Sequence, residues 1–473
     1  MENERPIIVW FRRDFRLSDH AALSAAASRG VPVIPLFVHD ETVETLGAAP
    51  KWRMGRAIDA FDKTLRALGS RLILRRGIAK DALCDLVQET NAQAVYWSRA
   101  YVFDQVERDK RVKAALMAIG IEARSFTGHL LFEPWNVKTK TDGFYRVYTP
   151  MWKSVRDSEL DAPLPEVTNL RVPFEWPDSE LLDAWQMERA MRKGASIVGQ
   201  HVVIGEEGAR SRLNSFISGT VERYHEHRDF PATEGTSRLS ENLTYGEISP
   251  LTLWHAGWDA LRSGSAGAET FLKEIVWREF AYHLAWHTPE ILQRNWRPEW
   301  DRFPWRSTSP EAEAWKQGRT GVPFVDAAMR EMYITGTMHN RGRMIVASYR
   351  TKHLMTHWKV GLDWFAECLV DWDPASNAMG WQWSAGSGPD ATPYFRIFNP
   401  ITQLEKFDKS NEYVHRFIAE LSQSPSDTAR SYFDAIPESW GLRPSDPYPA
   451  PIVSMADGRV RALNAYQNHR SGD

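Results

Sequence analysis

Short apolar runs alternate with amphipathic stretches through the first quarter of the chain. Near-continuous apolar runs are typical of strands buried on both faces of a sheet, and the stretches between them have the 3.6-residue period of helices. This alternation favours a doubly wound parallel sheet with helices on both faces. The predicted strands lie at 6–11, 31–38, 71–76, 94–98 and 122–126, and the predicted helices near 19–28, 51–68, 79–90 and 104–118.

A helical period takes over from about residue 206. The first predicted helix there has an apolar face formed by Ala209, Leu213, Phe216, Ile217 and Tyr224. Similar patterns recur near 269–287, 311–316, 322–334, 339–356, 361–370 and 410–421. Residues 161–180 are rich in proline and lack a clear period, which predicts a connector that runs over the surface. We therefore predict an α/β domain over 1–130, a connector over 131–205 and an all-helical domain over 206–473.

Composition narrows the class of protein. Hydrophobic residues make up 43% of the 473 residues, yet no apolar run reaches the ~18 residues that suggest a membrane span. The N-terminus lacks a secretory signal pattern, and the two cysteines have no metal-ligand spacing. We therefore expect a cytoplasmic protein without a disulfide framework or a metal site. No obligate protein partner is evident, and we expect a monomer.

The net charge of −3 does not by itself indicate a nucleic-acid partner. Each cation neutralises only nearby phosphates, so a DNA-binding protein needs its cations on one face rather than a positive net charge. Candidate cations are Arg341, Arg343, Arg350, Lys352, Arg396 and Lys406. The 21 tryptophans are more unusual, and they suit either a large core or a protein that moves electrons through side chains.

Residues 371–400, DWDPASNAMGWQWSAGSGPDATPYFRIFNP, form the most informative segment. Asp373 followed by Pro374 predicts a helix start, because Asp caps a helix and proline is tolerated at the first helical position. Helical geometry places Asn377 and Trp381 on one face, with Trp383 roughly 200° around the axis from Trp381. The pattern is compatible with a two-sided packing helix or with a helix that presents an amide and an indole to a ligand.

A polar turn is predicted before another helix, within RDFPATEGTSRLS (228–240). Hydroxyls and backbone N–H groups at a helix start can bind an anion, although a simple N-cap has the same sequence pattern. The first predicted strand runs into WFRRDFRLSDH (10–20) rather than a GxGxxG motif. The absence of that motif disfavours a dinucleotide-binding domain of the dehydrogenase type.

Together these segments resemble the DNA photolyase/cryptochrome family. The resemblance includes EIVWREF (274–280), TGVPFVDAAMR (320–330) and MHNRGRM (338–344), in the family's order. It implies an N-terminal antenna domain, a helical domain that binds FAD, and UV-damaged DNA as the partner. An antenna chromophore such as methenyltetrahydrofolate is implied near Asp104 and Gln105, which stand where folate-binding relatives carry an Asn-Glu pair.

The resemblance also implies roles for individual residues. The Thr-Ser-x-Leu-Ser segment would wrap the FAD pyrophosphate, and Asn377 would face flavin N5. Contacts with FAD are implied for Tyr224, Thr236, Ser237, Arg238, Leu239, Ser240, Phe271, Arg278, Asn340, Arg343, Asp371, Asp373 and Asn377. Contacts with the damaged bases or the DNA are implied for Glu274, Trp277, Arg278, Asn340, Arg341, Met344, Trp383 and Gln403. Trp381, Trp358 and Trp305 match the family's electron-transfer chain from the flavin to the surface.

Glu274 is implied as the acid that hydrogen-bonds the damaged bases. An acid acts as a donor only where a dry, apolar site keeps it protonated. Without the resemblance, Glu274 and Arg278 would be interpreted as an i, i+4 ion pair on a helix surface. Three positions depart from many bacterial relatives, since Thr337, Trp372 and Phe271 replace Trp, Gly and Trp there. These departures indicate a helical domain nearer to plant cryptochromes.

The function predicted from the resemblance is light-dependent DNA repair. Reduced FAD would pass one electron to a flipped cyclobutane pyrimidine dimer and split it, which is the reaction of a carbon–carbon lyase. Flipping of the target is general for enzymes, photolyases included, that act on a base. The alternatives are a cryptochrome-type blue-light receptor, a (6-4) photoproduct photolyase and a generic nucleotide-binding α/β enzyme. Asn377 disfavours the receptor, because plant cryptochromes tend to carry Asp there, and no His pair beyond His339 supports the (6-4) activity.

Overall fold

The N-terminal region forms a parallel sheet with helices on both faces. A computed structural model describes residues 4–391 and 393–471. Its strands are β1 Ile7–Phe11, β2 Val33–His39, β3 Ile73–Arg76, β4 Ala94–Ser98 and β5 Glu122–Phe126. They are ordered β3-β2-β1-β4-β5, and each adjacent pair is parallel. The predicted doubly wound sheet is confirmed, with a strand at each of the five predicted positions.

Two apolar layers separate this sheet from its helices. The helices are α1 Ala21–Ala27, α2 Glu41–Glu44, α3 Ala48–Ala67, α4 Ala79–Thr90 and α5 Phe103–Ala118. One layer contains Phe11 and Phe61, and the other contains Trp10 and Leu116. Edge strand β5 differs from the prediction of burial on both faces, because its residues are half-buried or exposed. It pairs with β4 on one side only, and the other side faces solvent.

The segment between the two regions is more buried than its composition predicts. It contains α6 Tyr148–Val155 and α7 Gly194–Val198, with 3₁₀ turns at Leu182–Trp185 and Arg189–Met191. Residues 161–169 are mostly exposed, as expected of a surface connector. Helix α6, however, buries Tyr148 and Trp152 in the core of the helical region. Met187 packs in the core of the α/β region, so the segment is held by both cores.

Helices make up most of the chain from residue 206 onward, as predicted. They are α8 Glu206–Ser218, α9 Tyr224–His227, α10 Ser240–Thr244, α11 Pro250–Arg262, α12 Ala268–His287, α13 Pro310–Lys316, α14 Pro323–Thr335, α15 Asn340–Ser348, α16 Trp358–Cys368, α17 Pro374–Ala385, α18 Pro400–Phe407, α19 Glu412–Phe417, α20 Asp427–Ala435 and α21 Met455–Ser471. Short 3₁₀ turns lie at Thr220–Arg223, Pro289–Leu292, Pro298–Arg302, Ala419–Leu421 and Glu438–Trp440. Within the described residues, no helix has both the length and the apolar character needed to cross a membrane.

Several helix bounds differ from the sequence prediction for identifiable reasons. The single helix predicted over 339–356 is α15 followed by a π-helical turn, Tyr349–His353. Helix α11 was not predicted, although Ser249 caps it by accepting the Thr252 N–H at 3.0 Å. That serine and the proline after it are a start signal that apolar periodicity alone does not reveal. Helix α21 buries only Gly458 and Ala462. Its sequence therefore has almost no apolar period from which a helix could be predicted.

Arg53 of α3 is completely buried where the α/β region meets the helical region. Its guanidinium donates to the two carboxylate oxygens of Glu247 at 2.9 and 2.6 Å, and to Glu241 at 3.2 Å. The guanidinium carbon also lies 4.8 Å from the centre of the Tyr245 ring. Because buried charges need partners, this cluster holds residues 240–247 against the α/β region.

Replacing Arg53 by Met is expected to lower the free energy of unfolding by about 3–5 kcal/mol, because buried Glu247 loses its cation and Glu241 keeps only Arg212. Chemical denaturation followed by tryptophan fluorescence measures the change. Lys63→Met on the same helix is the matched control, since it removes only an exposed ion pair with Asp59. It should change the free energy by less than about 0.5 kcal/mol. Equal effects of the two substitutions would contradict the role given to Arg53.

Candidate functional site

One cavity of about 770 Å³ lies within the helical region, a volume in the range of ligand-binding pockets. Helices α9, α12, α15 and α17 and the residues 231–244 supply most of its walls. The predicted site residues that line it are Tyr224, Thr236, Ser237, Arg238, Leu239, Ser240, Phe271, Glu274, Trp277, Arg278, Asn340, Arg343, Met344, Asp371, Asp373, Asn377, Trp381 and Trp383. Residues from distant parts of the sequence therefore meet in one cavity.

Helix α17 begins at the capping residue predicted from the sequence. Asp373 Oδ1 accepts the Ser376 N–H at 2.7 Å, and Asp373 Oδ2 accepts the Tyr282 hydroxyl at 2.5 Å. One turn later, Asn377 Nδ2 donates to the Asp373 backbone oxygen at 2.9 Å. This bond fixes the Asn377 amide and leaves its oxygen available for a ligand. The cap and these bonds offset the low helix propensity of Ser376 and Asn377.

Trp381 and Trp383 both line the cavity, although helical geometry placed them on different faces. The cavity extends around α17. The two faces of this helix were expected to meet different environments, but both face the same cavity. Trp381 is buried against α16, where a Cβ added to Gly361 would lie 2.1 Å from the indole. Only glycine at that position allows so close an approach. Trp383 is half-buried.

The structure brings Arg343 and Asp371 together at the cavity wall. Arg343 Nη2 lies 2.9 and 2.8 Å from the two carboxylate oxygens of Asp371. Arg343 Nε donates to the backbone oxygen of Met338 at 2.9 Å, which fixes the guanidinium from its other side. Asp371 is almost fully buried, so its charge depends on this partner.

The turn before α10 exposes polar groups to the cavity. Arg238 has a φ of 52°, a left-handed conformation that costs free energy for a residue other than glycine. The chain is also close-packed at Gly235, where an added Cβ would lie 2.8 Å from His227. The result is a tight turn whose hydroxyls from Thr236, Ser237 and Ser240 line the cavity.

Glu274 forms an ion pair with Arg228 and not with Arg278. Burial opposes the charge of Arg228, but the Glu274 carboxylate outweighs it and raises the pKa of the guanidinium. A cation therefore lies beside Glu274 where the resemblance implied an apolar wall. The hydrogen bond of Glu274 to the damaged bases remains a prediction.

Trp277 lies beside Glu274 and is stacked on Tyr148 of α6. The two rings are parallel within 6°, and their centres are 3.7 Å apart. The Tyr148 hydroxyl donates to the backbone oxygen of Lys273 at 2.7 Å, which fixes the tyrosine against α12. One face of the Trp277 indole is thus covered by protein.

Arg278 reaches the segment that precedes the connector. Its Nη1 donates to the backbone oxygen of His129 at 2.9 Å, and its Nη2 lies 3.1 Å from His129 Nε2. The adjacent residue, Glu279, is buried, and its carboxylate accepts the backbone N–H groups of residues 131–132 at 2.9 and 3.2 Å. Burial raises the pKa of Glu279 to about 7. The two side chains together hold residues 129–132 against α12.

Several predicted contact residues do not line the cavity. Arg341 forms a 2.5 Å ion pair with Asp229, and its guanidinium carbon lies 4.3 Å from the centre of the Phe407 ring. Gln403 is half-buried on α18. Of the six cations considered for a DNA-binding face, Arg350 and Lys352 are completely buried. These two side chains therefore cannot contact phosphates.

Trp358 and Trp305 lie away from the cavity, as an outward chain requires. Trp358 is completely buried at the start of α16, and its Nε1 donates to Asn295 Oδ1 at 2.7 Å. Trp305 is half-buried, with its ring centre 5.7 Å from that of His357. His357 is in turn 5.3 Å from Trp358, ring centre to ring centre.

The residues implied for the antenna lie in the other region of the molecule. Asp104 and Gln105 occupy the first turn of α5, which follows β4 at the carboxyl edge of the sheet. Asp104 is exposed and Gln105 is half-buried. Their placement in the α/β region is as predicted, and a chromophore contact remains a prediction.

Sequence reasoning missed several partners of the predicted residues. Arg228 lies in a segment that carries the resemblance, so its proximity to Glu274 could have been suspected. Tyr282 and Asn295 carry no signal of their own, because each depends on a contact between helices far apart in sequence. Further residues that line the cavity are His201, Arg212, Glu331, Thr337, His339 and Arg416.

Comparisons with known proteins relate these features to one family. Residues 7–169 match the DNA photolyase family, and residues 271–468 match the FAD binding domain of DNA photolyase. A deoxyribodipyrimidine photo-lyase of Agrobacterium fabrum is 45% identical over 466 residues, covering 98% of this chain and 97% of that protein. Cryptochrome-1 of Arabidopsis thaliana is 33% identical over 475 residues, covering 97% of this chain and 70% of that protein.

Solved structures agree with the sequence comparisons. A class III photolyase from Agrobacterium tumefaciens has a TM-score of 0.92 at 44% identity, covering 100% of this chain and 99% of that chain. An archaeal photolyase from Sulfolobus tokodaii, solved with two FAD molecules, has a TM-score of 0.76 at 27% identity and covers 98% of this chain and all of that one. The fold and the cavity define a flavoprotein with an N-terminal α/β region. The chain belongs to the DNA photolyase family, and the predicted resemblance is confirmed.

The cavity residues fit FAD, the cofactor named in the matched helical domain. Hydroxyls of the 236–240 turn suit a pyrophosphate, while the Asp371 and Asn377 side chains offer groups for the polar edge of a flavin ring. Trp381 Nε1 and His339 Nε2 are buried with no hydrogen-bond partner among the described residues. Buried polar atoms in this state are characteristic of a site that a ligand completes.

The raised pKa of Glu279 predicts a pH-dependent stability. Because Glu279 binds a proton up to about pH 7 in the folded state and only up to 4.5 in the unfolded state, the stability that this group contributes is greatest below 4.5 and falls as the pH rises to about 7. The loss amounts to ~3 kcal/mol.

Glu279→Gln should remove this part of the pH dependence, which calorimetry between pH 5 and 8 measures as the difference from wild type. Glu269→Gln, at an exposed position of the same helix, should retain the wild-type slope. Identical slopes in wild type and Glu279→Gln would contradict the assignment.

Proposed function

We propose that this protein uses light to split cyclobutane pyrimidine dimers in UV-damaged DNA into the two pyrimidines. The observation that carries the proposal is that one cavity is lined both by residues that fit a flavin, Asp373 and Asn377, and by residues that fit extruded bases, Glu274 and Trp277. Electron transfer from a cofactor to a lesion depends on such proximity.

Bound FAD, in its reduced form, supplies the electron that light makes available for this reaction. The Arg343–Asp371 ion pair and the Asp373 carboxylate provide the charged groups beside the flavin. Asn377 would offer its amide to the flavin ring, and its bond to the Asp373 backbone keeps that amide in one orientation. The hydroxyls of the 236–240 turn hold the pyrophosphate.

Glu274 and Arg228 form a polar pair that suits the edge of a pyrimidine. The imide edge of thymine has an N–H donor between two carbonyl oxygens, and the pair offers a carboxylate acceptor beside guanidinium donors. Trp277 provides an aromatic face on which the same pyrimidine can stack. Met344 and Trp383 add apolar surface. A dimer held there takes up an electron, its cyclobutane ring opens, and the electron returns.

DNA recognition in this proposal depends on backbone contact and on the deformability of a damaged duplex. Asn340 is exposed at the start of α15 beside the cavity, and Arg416 lines the cavity. We infer a monomer as the active unit. Because the proposed substrate is cellular DNA, we assign the protein to the cytoplasm. We also keep Asp104 and Gln105 as candidate antenna contacts, with a methenyltetrahydrofolate-like chromophore.

Trp381, Trp358 and Trp305 form the proposed route by which FAD is photoreduced. Trp381 would be the electron donor beside bound flavin, Trp358 would reduce the oxidised Trp381, and Trp305, half-buried, would reduce Trp358. The burial of Trp381 and Trp358 and the half-buried position of Trp305 support this order. His357 lies between Trp358 and Trp305.

Two rival functions receive less support from the site. Relatives that repair (6-4) photoproducts are expected to carry a His pair at the substrate, and beside residues 340–344 His339 is the one histidine present, with its pKa lowered to about 4 by burial. Its Nδ1 accepts the Arg341 N–H at 3.1 Å, which makes it a helix cap. A cryptochrome-type receptor shares the fold and the FAD site, and Asn377 in place of Asp is the residue that favours repair.

Glu274→Gln should lower the repair yield per absorbed photon by about tenfold or more, since an amide cannot form the charge-assisted bonds of the carboxylate. Recovery of thymine absorbance in a dimer-containing oligonucleotide under blue light measures the yield. The flavin absorbance of the protein should not change, and Glu269→Gln on the same helix should repair like wild type. Loss of bound flavin in Glu274→Gln would contradict a role at the substrate.

Trp305→Phe should abolish photoreduction of FAD while leaving repair by chemically reduced protein intact. The reason is that phenylalanine is far harder to oxidise than tryptophan, so Trp358 cannot be refilled. Flavin absorbance under blue light, in the presence of a reductant, measures photoreduction. Trp440→Phe, on a half-buried tryptophan outside the proposed route, is the control. Undiminished photoreduction in Trp305→Phe would show that electrons enter elsewhere.

A further inference from the structure

Trp277 lines the cavity, and one face of its indole is covered by Tyr148 of α6. The two ring centres are 3.7 Å apart, whereas those of the next-closest aromatic pair among the described residues, Phe303 and Trp305, are 4.5 Å apart. Aromatic pairs usually prefer offset or edge-to-face arrangements at about 4.5–7 Å, because directly stacked π faces repel each other. Packing alone therefore does not explain this stack, and further contacts must hold the two rings together.

Tyr148 is held both at its ring and at its backbone. Its hydroxyl donates to the Lys273 backbone oxygen at 2.7 Å, one helical turn before Trp277 on α12. Its backbone N–H donates to Asp390 Oδ2 at 3.1 Å. Phe280 contacts both rings edge-on, with its centre 5.8 Å from that of Trp277 and 6.0 Å from that of Tyr148. Two hydrogen bonds and an edge-on ring therefore fix the tyrosine relative to the indole.

Asp390 connects α6 to the loop that follows α17. Its φ is 48°, a left-handed conformation that costs free energy for a residue other than glycine. Val147, the residue before α6, has no side-chain bond that caps the helix, and the Asp390 carboxylate accepts the first helical N–H instead. A negative charge is also favourable at this end of a helix. Asp390 thus ties the helix beneath Trp277 to the segment that carries Trp383, the other indole that lines the cavity.

A supported indole is useful for binding an extruded base. Stacking of a base on an aromatic side chain raises affinity by about tenfold. Part of that gain is lost when the side chain has to be ordered on binding, and an indole without Tyr148 behind it could turn into the space left there. Only a base outside the duplex has a face free to stack on Trp277. The support therefore favours damaged DNA, from which a dimer is extruded, over intact DNA.

We propose that Tyr148 is a positioning residue, held in place by Asp390, which fixes the Trp277 indole for stacking and so sets the preference for damaged over intact DNA. This inference rests on the proposed function, in which Trp277 stacks on a pyrimidine of the dimer. Tyr148 is buried behind the indole and is not among the described residues that line the cavity. It acts through Trp277 and not by contact with DNA.

The test measures the affinity of FAD-loaded protein for a dimer-containing oligonucleotide and for the same oligonucleotide without damage, by fluorescence anisotropy in the dark. In Tyr148→Leu the affinity for the damaged oligonucleotide should fall by about tenfold, and that for the undamaged one by less than about twofold. Tyr148→Phe keeps the ring and should retain most of the preference. Lys153→Ala, at an exposed position of α6, is the control and should bind like wild type. An unchanged preference in Tyr148→Leu would overturn the proposal.

A double-mutant cycle tests whether Tyr148 acts through Trp277. Trp277→Leu should lower the affinity for the damaged oligonucleotide. Adding Tyr148→Leu should then lower it by less than about twofold more, because the indole that Tyr148 supports is gone. A purely structural role of Tyr148 would lower the affinity equally in both backgrounds, and that result would overturn the proposal.

Asp390 offers a test that leaves the aromatic rings in place and that stands even if Tyr148→Leu does not fold. Asp390→Gly tolerates the left-handed backbone but removes the cap, and it should lower the preference for damaged DNA by about threefold. Asp390→Asn also removes the charge, but it keeps an acceptor oxygen and should retain the preference. A wild-type preference in Asp390→Gly would overturn the proposal.

The wild-type protein separates failure of this proposal from failure of the proposed function. If it does not distinguish the damaged from the undamaged oligonucleotide, the proposed function is wrong. If it does, and Tyr148→Leu distinguishes them equally well, the role of Tyr148 is wrong.

Discussion

The pairing of Arg53 with two glutamates is the interaction on which the arrangement of the molecule depends. A guanidinium without solvent contact would be too costly to bury unless Glu241 and Glu247 accepted its donors. Both acids come shortly after residues 236–240, the turn that lines the cavity. By binding them, Arg53 of the α/β region sets the position of this part of the cavity wall. The N-terminal region is in this sense part of the site, even though its own side chains do not line it.

Polar side chains of the cavity are hydrogen-bonded by the protein on one side and can bind a ligand on the other. Asp373 is fixed by Tyr282 and by the helix it caps, and Arg343 is fixed by the Met338 backbone. Such positioning keeps the reorganisation needed on ligand binding small.

Much of the fold could be predicted from the sequence, because the spacing of apolar residues and the capping of helices depend only on neighbouring residues. The five strands and the capping role of Asp373 required only neighbouring residues. The partners of the site residues could not be predicted in this way. Helical spacing alone would pair Glu274 with Arg278, yet Glu274 pairs with Arg228 from another segment. Arg350 was a candidate for a DNA-binding face although it is buried. Tertiary packing decides such contacts, and a single sequence does not display it.

The stack of Tyr148 on Trp277 makes the pocket one-sided. With the tyrosine hydroxyl bound to the Lys273 backbone, the ring cannot swing aside to admit a guest on both faces of the indole. A planar ring can therefore stack on the Trp277 indole only from the open side. The connector helix α6 thereby decides on which side of this indole any stacking partner has to lie.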